Sequence, residues 1–446
     1  MDSRALFFVG LIVLTVSWTP ADAASVCAPG ATCSSVQMNG TPAPGPGPMI
    51  AQCSGRFPDF VTPIDMQPSQ APWFKLAQGY PTSPPANDAT WLSIDFTQGV
   101  AGANSYLYAL RDYSFAGMID SDFRPEANSV RQWFHMPMMN FSSTRREPTH
   151  GLTTERSVNG PELGVKLGVT IHNYAIGFYN AVGAYTIGQV WKSGTPAVVS
   201  SQFSPGTMTF KILFSDAAPS DFQGADILAG APQWTIATAS GPKTVRLMQM
   251  DVATTDARSP TGWVFGTFAF DTNATDASPW NRMRPVGLSW GNDLGFTPAD
   301  AQSGKKLQQT TISDQAPAFA ASHLGWAGRA NGPVDNPISG CLSCHSTAQF
   351  PVAASITFNA KCDTDDKKMQ WFRTFNGQQS FGAIDATTCA PKAGVTTVPL
   401  DFSLQMQVSV QSLLQFNDVN PCAPPAPAAL NVPPLGEYVD APRVQR

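Results

Sequence analysis

The run Trp263-Val264-Phe265-Gly266-Thr267-Phe268-Ala269-Phe270 best indicates the fold, because it is aromatic and prone to β structure throughout. Aromatic and β-branched side chains favour strands, where they pack on a pleated surface. The apolar residues Met208, Phe210, Ile212 and Phe214 recur at every second position, so they share one face of a second predicted strand. These runs predict a sheet in the middle of the chain.

A third alternating run and the turn residues around it extend this prediction. Leu163, Val165, Leu167, Val169 and Ile171 alternate with polar residues and glycines, which predicts a strand with one buried face. Clusters of Gly, Pro, Asn and Ser separate the runs at 159–161, 204–206 and 259–262. Antiparallel strands joined by turns predict a mainly β protein with a β-sandwich or jelly-roll-like domain.

A fourth alternating run lies near the C-terminus. Its apolar members are Leu400, Phe402, Leu404, Met406, Val408 and Val410. The alternation predicts a strand that returns to the sandwich, which makes the preceding residues 301–396 an insertion. A helix that uses Phe402, Met406, Val410 and Leu413 as its buried side is the alternative.

A chemical motif lies inside this insertion, at Cys341-Leu342-Ser343-Cys344-His345. Two thiols at this spacing, followed directly by a histidine, match the attachment site of a c-type haem. Each thiol can bond to one vinyl group of the porphyrin, and the imidazole can bind the iron. The alternatives are a disulfide or half of a zinc site. Neither accounts for the histidine, and no second ligand pair at similar spacing follows.

The motif and about 90 residues around it resemble c-type cytochromes. The resemblance implies one covalent haem c, with Cys341 and Cys344 as thioether positions and His345 as the proximal iron ligand. Where such cytochromes use methionine as the distal ligand, it follows the motif, which nominates Met369 and Met406. The nearest other histidine, His323, is our first prediction for the distal ligand. An open or water-bound iron is the remaining possibility.

The N-terminus predicts export. An apolar core over 6–14 precedes Pro20 and the small-residue pattern Ala21-Asp22-Ala23, so residues 1–23 read as a signal peptide. Only about a dozen apolar residues precede Pro20, too few for the roughly 20 that cross a bilayer. We therefore expect a periplasmic or secreted protein with no membrane span after signal cleavage.

Six further cysteines in an exported chain predict disulfides. Six cysteines allow many pairings, and their spacing does not decide between them. We favour Cys27 with Cys33 and Cys362 with Cys389, which leaves Cys53 with Cys422. The first would close a short local loop, and the last would join the two ends of the mature chain.

The charge composition of the chain limits the classes of molecule that it is expected to bind. Only 13% of the 446 residues are charged, the net charge is -5, and no basic run is present. These features argue against nucleic-acid binding. A redox partner protein or a small-molecule electron donor or acceptor is expected instead.

The predicted organisation follows from these patterns. It comprises the signal peptide (1–23), a Pro-rich, disulfide-containing segment (24–90), the β-sandwich (91–300), a partly helical haem-binding segment (301–396), the returning strand (397–420) and a Pro-rich tail (421–446). Within the haem-binding segment, Asp363 or Thr364 is expected to cap a helix from Lys367 to Phe375.

The expected function is single-electron transfer by an exported monohaem cytochrome. One alternative is a haem oxidoreductase with an open distal site for peroxide or an organic substrate. The other is a β-sandwich binding protein whose haem is structural or sensory. No nucleophile elbow, phosphate-binding loop or paired zinc motif points to another class of enzyme.

Overall fold

The computed structural model describes residues 73–139, 146–160, 162–192, 196–238 and 240–419. The predicted signal peptide, the Cys27–Cys33 and Cys53–Cys422 pairs and the Pro-rich tail lie outside these residues. Within them, no helix combines the length and the apolar character needed to cross a membrane.

The described chain contains both strands and helices. The strands are β1 (Thr153–Thr154), β2 (Val158–Asn159), β3 (Thr170–Ile171), β4 (Asn173–Tyr179), β5 (Met208–Ser215), β6 (Gln233–Thr238), β7 (Gly241–Thr255), β8 (Trp263–Phe270), β9 (Met283–Ser289), β10 (Thr310–Ile312), β11 (Gln349–Phe350), β12 (Ala383–Ile384), β13 (Pro391–Lys392) and β14 (Val398–Pro399). The α-helices are α1 (Gly99–Phe115), α2 (Ala181–Val190), α3 (Pro298–Gln302), α4 (Ala318–Ala321), α5 (Cys341–His345), α6 (Asp365–Lys368) and α7 (Leu404–Val419). Short 3₁₀ helices lie at Thr90–Ser93, Pro125–Ala127, Glu162–Gly164, Val198–Ser200, Pro219–Asp221, Pro279–Arg282, Trp326–Gly328 and Met369–Trp371.

Eight strands form one large antiparallel sheet. Hydrogen-bonded neighbours follow the order β1-β4-β5-β7-β8-β9-β10, and β6 pairs with the first part of β7. The mainly β prediction is confirmed, and the runs at 208–214 and 263–270 are strands β5 and β8. The other described strands form three two-stranded pairs, so the described residues contain no second sheet of similar size.

One face of the large sheet is apolar. Phe210 and Ile212 of β5 point to this face with Val252 and Phe268, and all four are buried in the largest hydrophobic cluster. Helix α1 packs there. A Cβ atom on Gly266 would collide with the Leu107 side chain, so glycine at this point lets the helix approach the sheet closely.

The opposite face is polar at its centre. Lys211 lies opposite Asp251, and Asp251 lies opposite Thr267, in one row across β5, β7 and β8. Apolar residues flank this row in a second cluster that includes Phe265. Leu342 of helix α5 and Met406 of helix α7 belong to the same cluster, so these helices pack against this side of the sheet.

The strand predicted over 163–171 is wrong. Leu163 lies in a 3₁₀ turn with φ 57°, and Gly164 and Gly168 also have positive φ. These left-handed conformations interrupt an extended strand, and only Thr170–Ile171 pairs as one. Leu167 is 86% exposed, which ends the alternation of buried side chains.

The returning strand predicted over 397–420 is also wrong over most of its length, because residues 404–419 form helix α7. Met406, Val410 and Leu413 are buried, which confirms the helical alternative. Except for Gln405, the polar residues that produced the alternation are buried too. Gln407 accepts the Gln349 amide at 3.0 Å, and Ser409 donates to the Pro137 carbonyl at 2.6 Å.

The segment 301–396 is only partly separate from the sheet. Its own small core surrounds Trp371 and Phe372, beside the predicted Cys362–Cys389 disulfide, which is confirmed. Thr364 caps a helix as predicted, but that helix ends at Lys368. Strand β10 lies in the same segment and completes the edge of the large sheet, so the segment is not a self-contained insertion.

Candidate functional site

The Cys-Leu-Ser-Cys-His motif forms the single turn of helix α5 against the polar face of the sheet. Ser343 holds the start of this turn, since its hydroxyl accepts the Gly340 amide at 2.9 Å and donates to the Gly340 carbonyl at 3.0 Å. Cys341 and Cys344 are free thiols and retain partial exposure. The two thiols are therefore available for chemistry on the same helical turn as His345.

Burial makes both thiols poor acids. Burial is the main cause that raises the pKa of Cys344 to about 12. Burial also raises the pKa of Cys341, and the nearby Asp251 and Asp335 carboxylates add to that effect. Both side chains keep some accessible surface although protein surrounds them on most sides.

His345 is held in a defined orientation. Its Nδ1 lies 2.9 Å from the Phe402 carbonyl oxygen, and its ring centroid lies 4.6 Å from that of Phe265. A carbonyl only accepts, so Nδ1 carries the proton and Nε2 presents a lone pair. Burial lowers the pKa of His345 to about 4, which keeps the ring neutral at physiological pH. Nε2 makes no hydrogen bond within the described chain.

The Phe402 carbonyl is positioned by an unusual turn. Asp401 and Phe402 both have positive φ, at 47° and 60°. Asp401 stabilises this conformation by accepting the Phe203 amide at 2.7 Å and the Trp263 indole N–H at 2.9 Å. Strained backbone of this kind persists where the surroundings hold it in place, often at functional sites. Asp401 therefore orients His345 indirectly, through the Phe402 carbonyl.

A group of charged residues lies beside the motif. We define the ionic cluster as Glu155, Lys211, Asp251 and Asp335, together with Gln249. Lys211 Nζ lies 3.3 Å from Asp251 Oδ2 and 3.8 Å from Glu155 Oε2. Lys211 and Asp251 both shift the pKa of His345, and Asp335 raises that of both thiols. The cluster and the motif thus act on each other electrostatically.

Gln249 joins two of these carboxyl groups. Its Nε2 lies 2.9 Å from each oxygen of Asp251 and 3.0 Å from Asp335 Oδ2. Its Oε1 accepts the Val334 amide at 3.2 Å, which fixes the orientation of the side-chain amide. The Gly332 amide donates to Asp335 Oδ2 at 3.1 Å. Two carboxyl groups therefore lie close together on one amide donor, and the negative charge of Asp251 raises the pKa of Asp335 although the Gln249 hydrogen bond lowers it.

His323, the first prediction for a distal ligand, has both ring nitrogens engaged. Nδ1 lies 2.6 Å from the Phe319 carbonyl, so it donates there, and Nε2 accepts the Leu163 amide at 3.0 Å. The lone pair that iron would require is used in that second hydrogen bond.

The two predicted methionines lie in different parts of the structure. Met369 packs beside the small core of the 301–396 segment, and its sulfur accepts the Gly295 amide at 3.3 Å. Met406 is fully buried in the hydrophobic cluster that also contains Phe402. The structure brings Met406 into the same cluster as the motif helix, but not Met369. The distal role of all three residues stays a prediction.

Sequence reasoning missed the ionic cluster and the Phe402 carbonyl. A signal for the cluster was present, because Lys211 and Asp251 interrupt otherwise apolar runs on β5 and β7. Their proximity to the motif depends on strand register and on the path of residues 332–345, which spacing does not encode. The carbonyl carries no side-chain signal at all.

The donor set fits a group held by two thioethers and one neutral imidazole. Both thiols are unpaired, His345 is oriented through Nδ1, and Nε2 is left without a hydrogen-bond partner. Among the described residues, the motif included, no three His, Cys, Asp or Glu side chains group in a way that could hold a metal ion by themselves.

Comparison with known proteins gives no further assignment. No protein-family model, no curated protein sequence and no solved structure matches this chain.

Proposed function

We propose that this protein is an exported monohaem c-type cytochrome that transfers single electrons. Cys341 and Cys344 would hold the porphyrin through thioethers, and His345 would supply the proximal nitrogen. The haem would supply one-electron redox chemistry at its iron. The large sheet serves as the scaffold, with segment 301–396 and helix α7 covering its polar face.

One observation carries the proposal: the hydrogen bond from His345 Nδ1 to the Phe402 carbonyl, beside two unpaired thiols on the same turn. Histidines that bind metals usually donate their second ring N–H to a carbonyl or carboxylate, which fixes the tautomer and the orientation. A disulfide between Cys341 and Cys344 would leave this arrangement of His345 without a purpose.

The chain's own residues would do three things for the bound group. His345 would bind through Nε2 while Phe402 holds its proton at Nδ1. Asp401 would hold the Phe402 carbonyl in place through the Phe203 amide and the Trp263 indole. Phe265 would exclude water from one side of the imidazole ring, since their ring centroids lie 4.6 Å apart.

The test is covalent attachment. The full chain is expressed in a host that attaches haem c during export, and the product is analysed by intact mass and by a pyridine haemochrome spectrum. We expect one covalent haem in the wild type, and loss of one thioether or of the whole group in Cys344→Ala. The matched control is Cys362→Ala/Cys389→Ala, which removes the other described cysteine pair and should keep the haem. A wild type without covalent haem would refute the proposal.

A second candidate, a haem oxidoreductase with an open iron site, has two observations in its favour. His323 and Met369 each accept a backbone amide, and the charged residues of the ionic cluster lie near the motif. Spectra of the same preparations separate the two functions. A low-spin spectrum that carbon monoxide leaves unchanged supports electron transfer, whereas ready binding of carbon monoxide or cyanide supports the open site.

A further inference from the structure

The ionic cluster holds more negative than positive groups beside the site for a redox cofactor. Three carboxyl groups, those of Glu155, Asp251 and Asp335, face the single ammonium of Lys211. Lys211 lies nearer to Asp251 and Glu155, and no ion pair joins Lys211 directly to Asp335. Asp335 is instead held by neutral donors, the Gln249 amide at 3.0 Å and the Gly332 amide at 3.1 Å.

The hydrogen bonds leave one oxygen of Asp335 free for a proton. Both neutral donors lie on Oδ2, and Oδ1 makes no hydrogen bond within the described residues. A proton can therefore bind Oδ1 without breaking either bond. Asp251 differs, because Gln249 contacts both of its oxygens and Lys211 lies 3.3 Å from Oδ2. Of the two carboxyl groups that share Gln249, Asp335 is the one suited to become neutral.

The direction of the Asp335 pKa shift agrees with the hydrogen-bond geometry of its carboxyl group. Burial, followed by the charge of Asp251, raises the pKa of Asp335 from 3.8 to about 6. The charged and titratable groups that face it are Lys211 on β5, Asp251 on β7, Glu155 after β1, and Cys341 and Cys344 on α5. Arg156 also lies close, since its guanidinium is 3.5 Å from the Asp335 backbone carbonyl, but its charge is paired with Glu162. Adding an electron nearby makes the surroundings of Asp335 more negative and so favours its protonation further.

We propose that Asp335 is the proton-binding group of a coupled electron and proton site, taking up one proton when the haem of the proposed function is reduced. The inference rests on that function. Asp335 Oδ1 gains a proton from solvent as an external one-electron donor reduces Fe(III) to Fe(II), and it loses the proton when the electron leaves. One electron and one proton enter together, so the charge of the site is unchanged.

The experiment measures midpoint potential against pH by spectroelectrochemistry of the haem-loaded wild type between pH 5 and 8. We expect the midpoint potential to fall with rising pH over part of this range, by up to about 59 mV per pH unit. This slope corresponds to a tenfold change in the equilibrium constant of a one-electron couple. Asp335→Asn should match the wild type at the acidic end, remain above it at pH 8, and lose most of the slope. Asp216→Asn is the matched control, an ion-paired carboxyl outside the cluster, and it should keep the wild-type slope.

Two results would overturn the inference while leaving the haem in place. One is a wild-type potential that does not change with pH, and the other is an unchanged slope in Asp335→Asn, which would assign the proton to another group. Absence of covalent haem from the wild type would instead overturn the proposed function.

A second measurement does not depend on the folding of Asp335→Asn. Infrared difference spectra of the reduced minus the oxidised wild type should contain the C=O band of a newly protonated carboxyl. Gln249→Met removes the donor shared by the two carboxylates, so the pH range of the slope should move upward. A wild-type difference spectrum without that band contradicts the proposal.

Discussion

The two faces of the large sheet are built from alternate residues of the same strands and differ in what they do. On one face, Phe210 and Phe268 pack in the largest hydrophobic cluster beneath helix α1. On the other, Lys211, Asp251 and Thr267 form a polar row next to the Cys-Leu-Ser-Cys-His motif. The comparison indicates that one face supplies stability, whereas the other gives up some stability to place charges at the candidate site.

The largest effect on stability should come from a large-to-small substitution on the apolar face. Phe210 is almost fully buried, stacks on Phe178 and meets Trp133 edge to face. Phe210→Ala removes these contacts and leaves a cavity, so we expect a loss of about 3–5 kcal/mol in the free energy of unfolding. Denaturant unfolding measures it. Leu167→Ala, at an exposed turn, is the control and should stay within about 0.5 kcal/mol of the wild type. Equal losses in both variants would contradict the assignment of this face.

An intermediate effect is expected on the polar face, and it should depend on pH. Because the pKa of Asp335 is raised in the folded chain, the folded state binds more protons than the unfolded state between about pH 4 and 6. The Asp335 contribution to stability therefore falls as pH rises through that range. Asn does not titrate, so Asp335→Asn lacks this pH-dependent loss. The free energy of unfolding of the variant relative to that of the wild type should therefore increase by roughly 1–3 kcal/mol from pH 4 to 7.

Unfolding of both proteins at several pH values measures this difference. Taking the difference between variant and wild type removes the contribution of His345, whose lowered pKa has the opposite effect on stability over a similar range. A difference that stays constant or decreases with pH would contradict the prediction.

The smallest effect on stability is expected when a hydroxyl group is removed from the polar face, compared with the addition of one to the apolar face. Thr267 is fully buried, and its hydroxyl has no hydrogen-bond partner in the described structure. Thr267→Val replaces that hydroxyl with a methyl group, so we expect a change between zero and about 1 kcal/mol of added stability. Val252→Thr is the reverse change on the apolar face and should cost about 1–3 kcal/mol. Thermal unfolding of the pair checks both values, and losses of similar size in both would remove the proposed contrast.

Patterns among neighbouring residues in the sequence predicted two strands of the large sheet and one helix cap. Aromatic and alternating apolar residues located β5 and β8, and the Thr364 cap followed from residue type and position. Cysteine number predicted disulfides, but the Cys362–Cys389 pairing was one of several that the sequence left open. Alternation failed at residues 404–419, because polar Gln407 and Ser409 are buried through hydrogen bonds rather than exposed. Helix α1 was missed, although Tyr106, Leu107 and Leu110 carry helical spacing.

The site was predictable only at its motif. Residue identity and spacing nominated Cys341, Cys344 and His345 without any knowledge of the fold. The groups around them come from distant parts of the chain, since Lys211 and Asp251 depend on strand register and Phe402 contributes a backbone carbonyl. Tertiary packing decides these neighbours, and no short-range pattern records it.

The raised pKa values of the two motif thiols bear on whether thioether formation comes before or after folding. In the folded chain both thiols are poor nucleophiles, because the thiolate is the reactive form and burial suppresses it. Cys341 packs against a cluster with residues far along the chain, such as Phe402 on the turn before helix α7, and contacts of such long separation carry a large loop-closure cost. On the proposed function, thioether formation therefore belongs to the unfolded or partly folded chain, and folding afterwards encloses a bond that is already made.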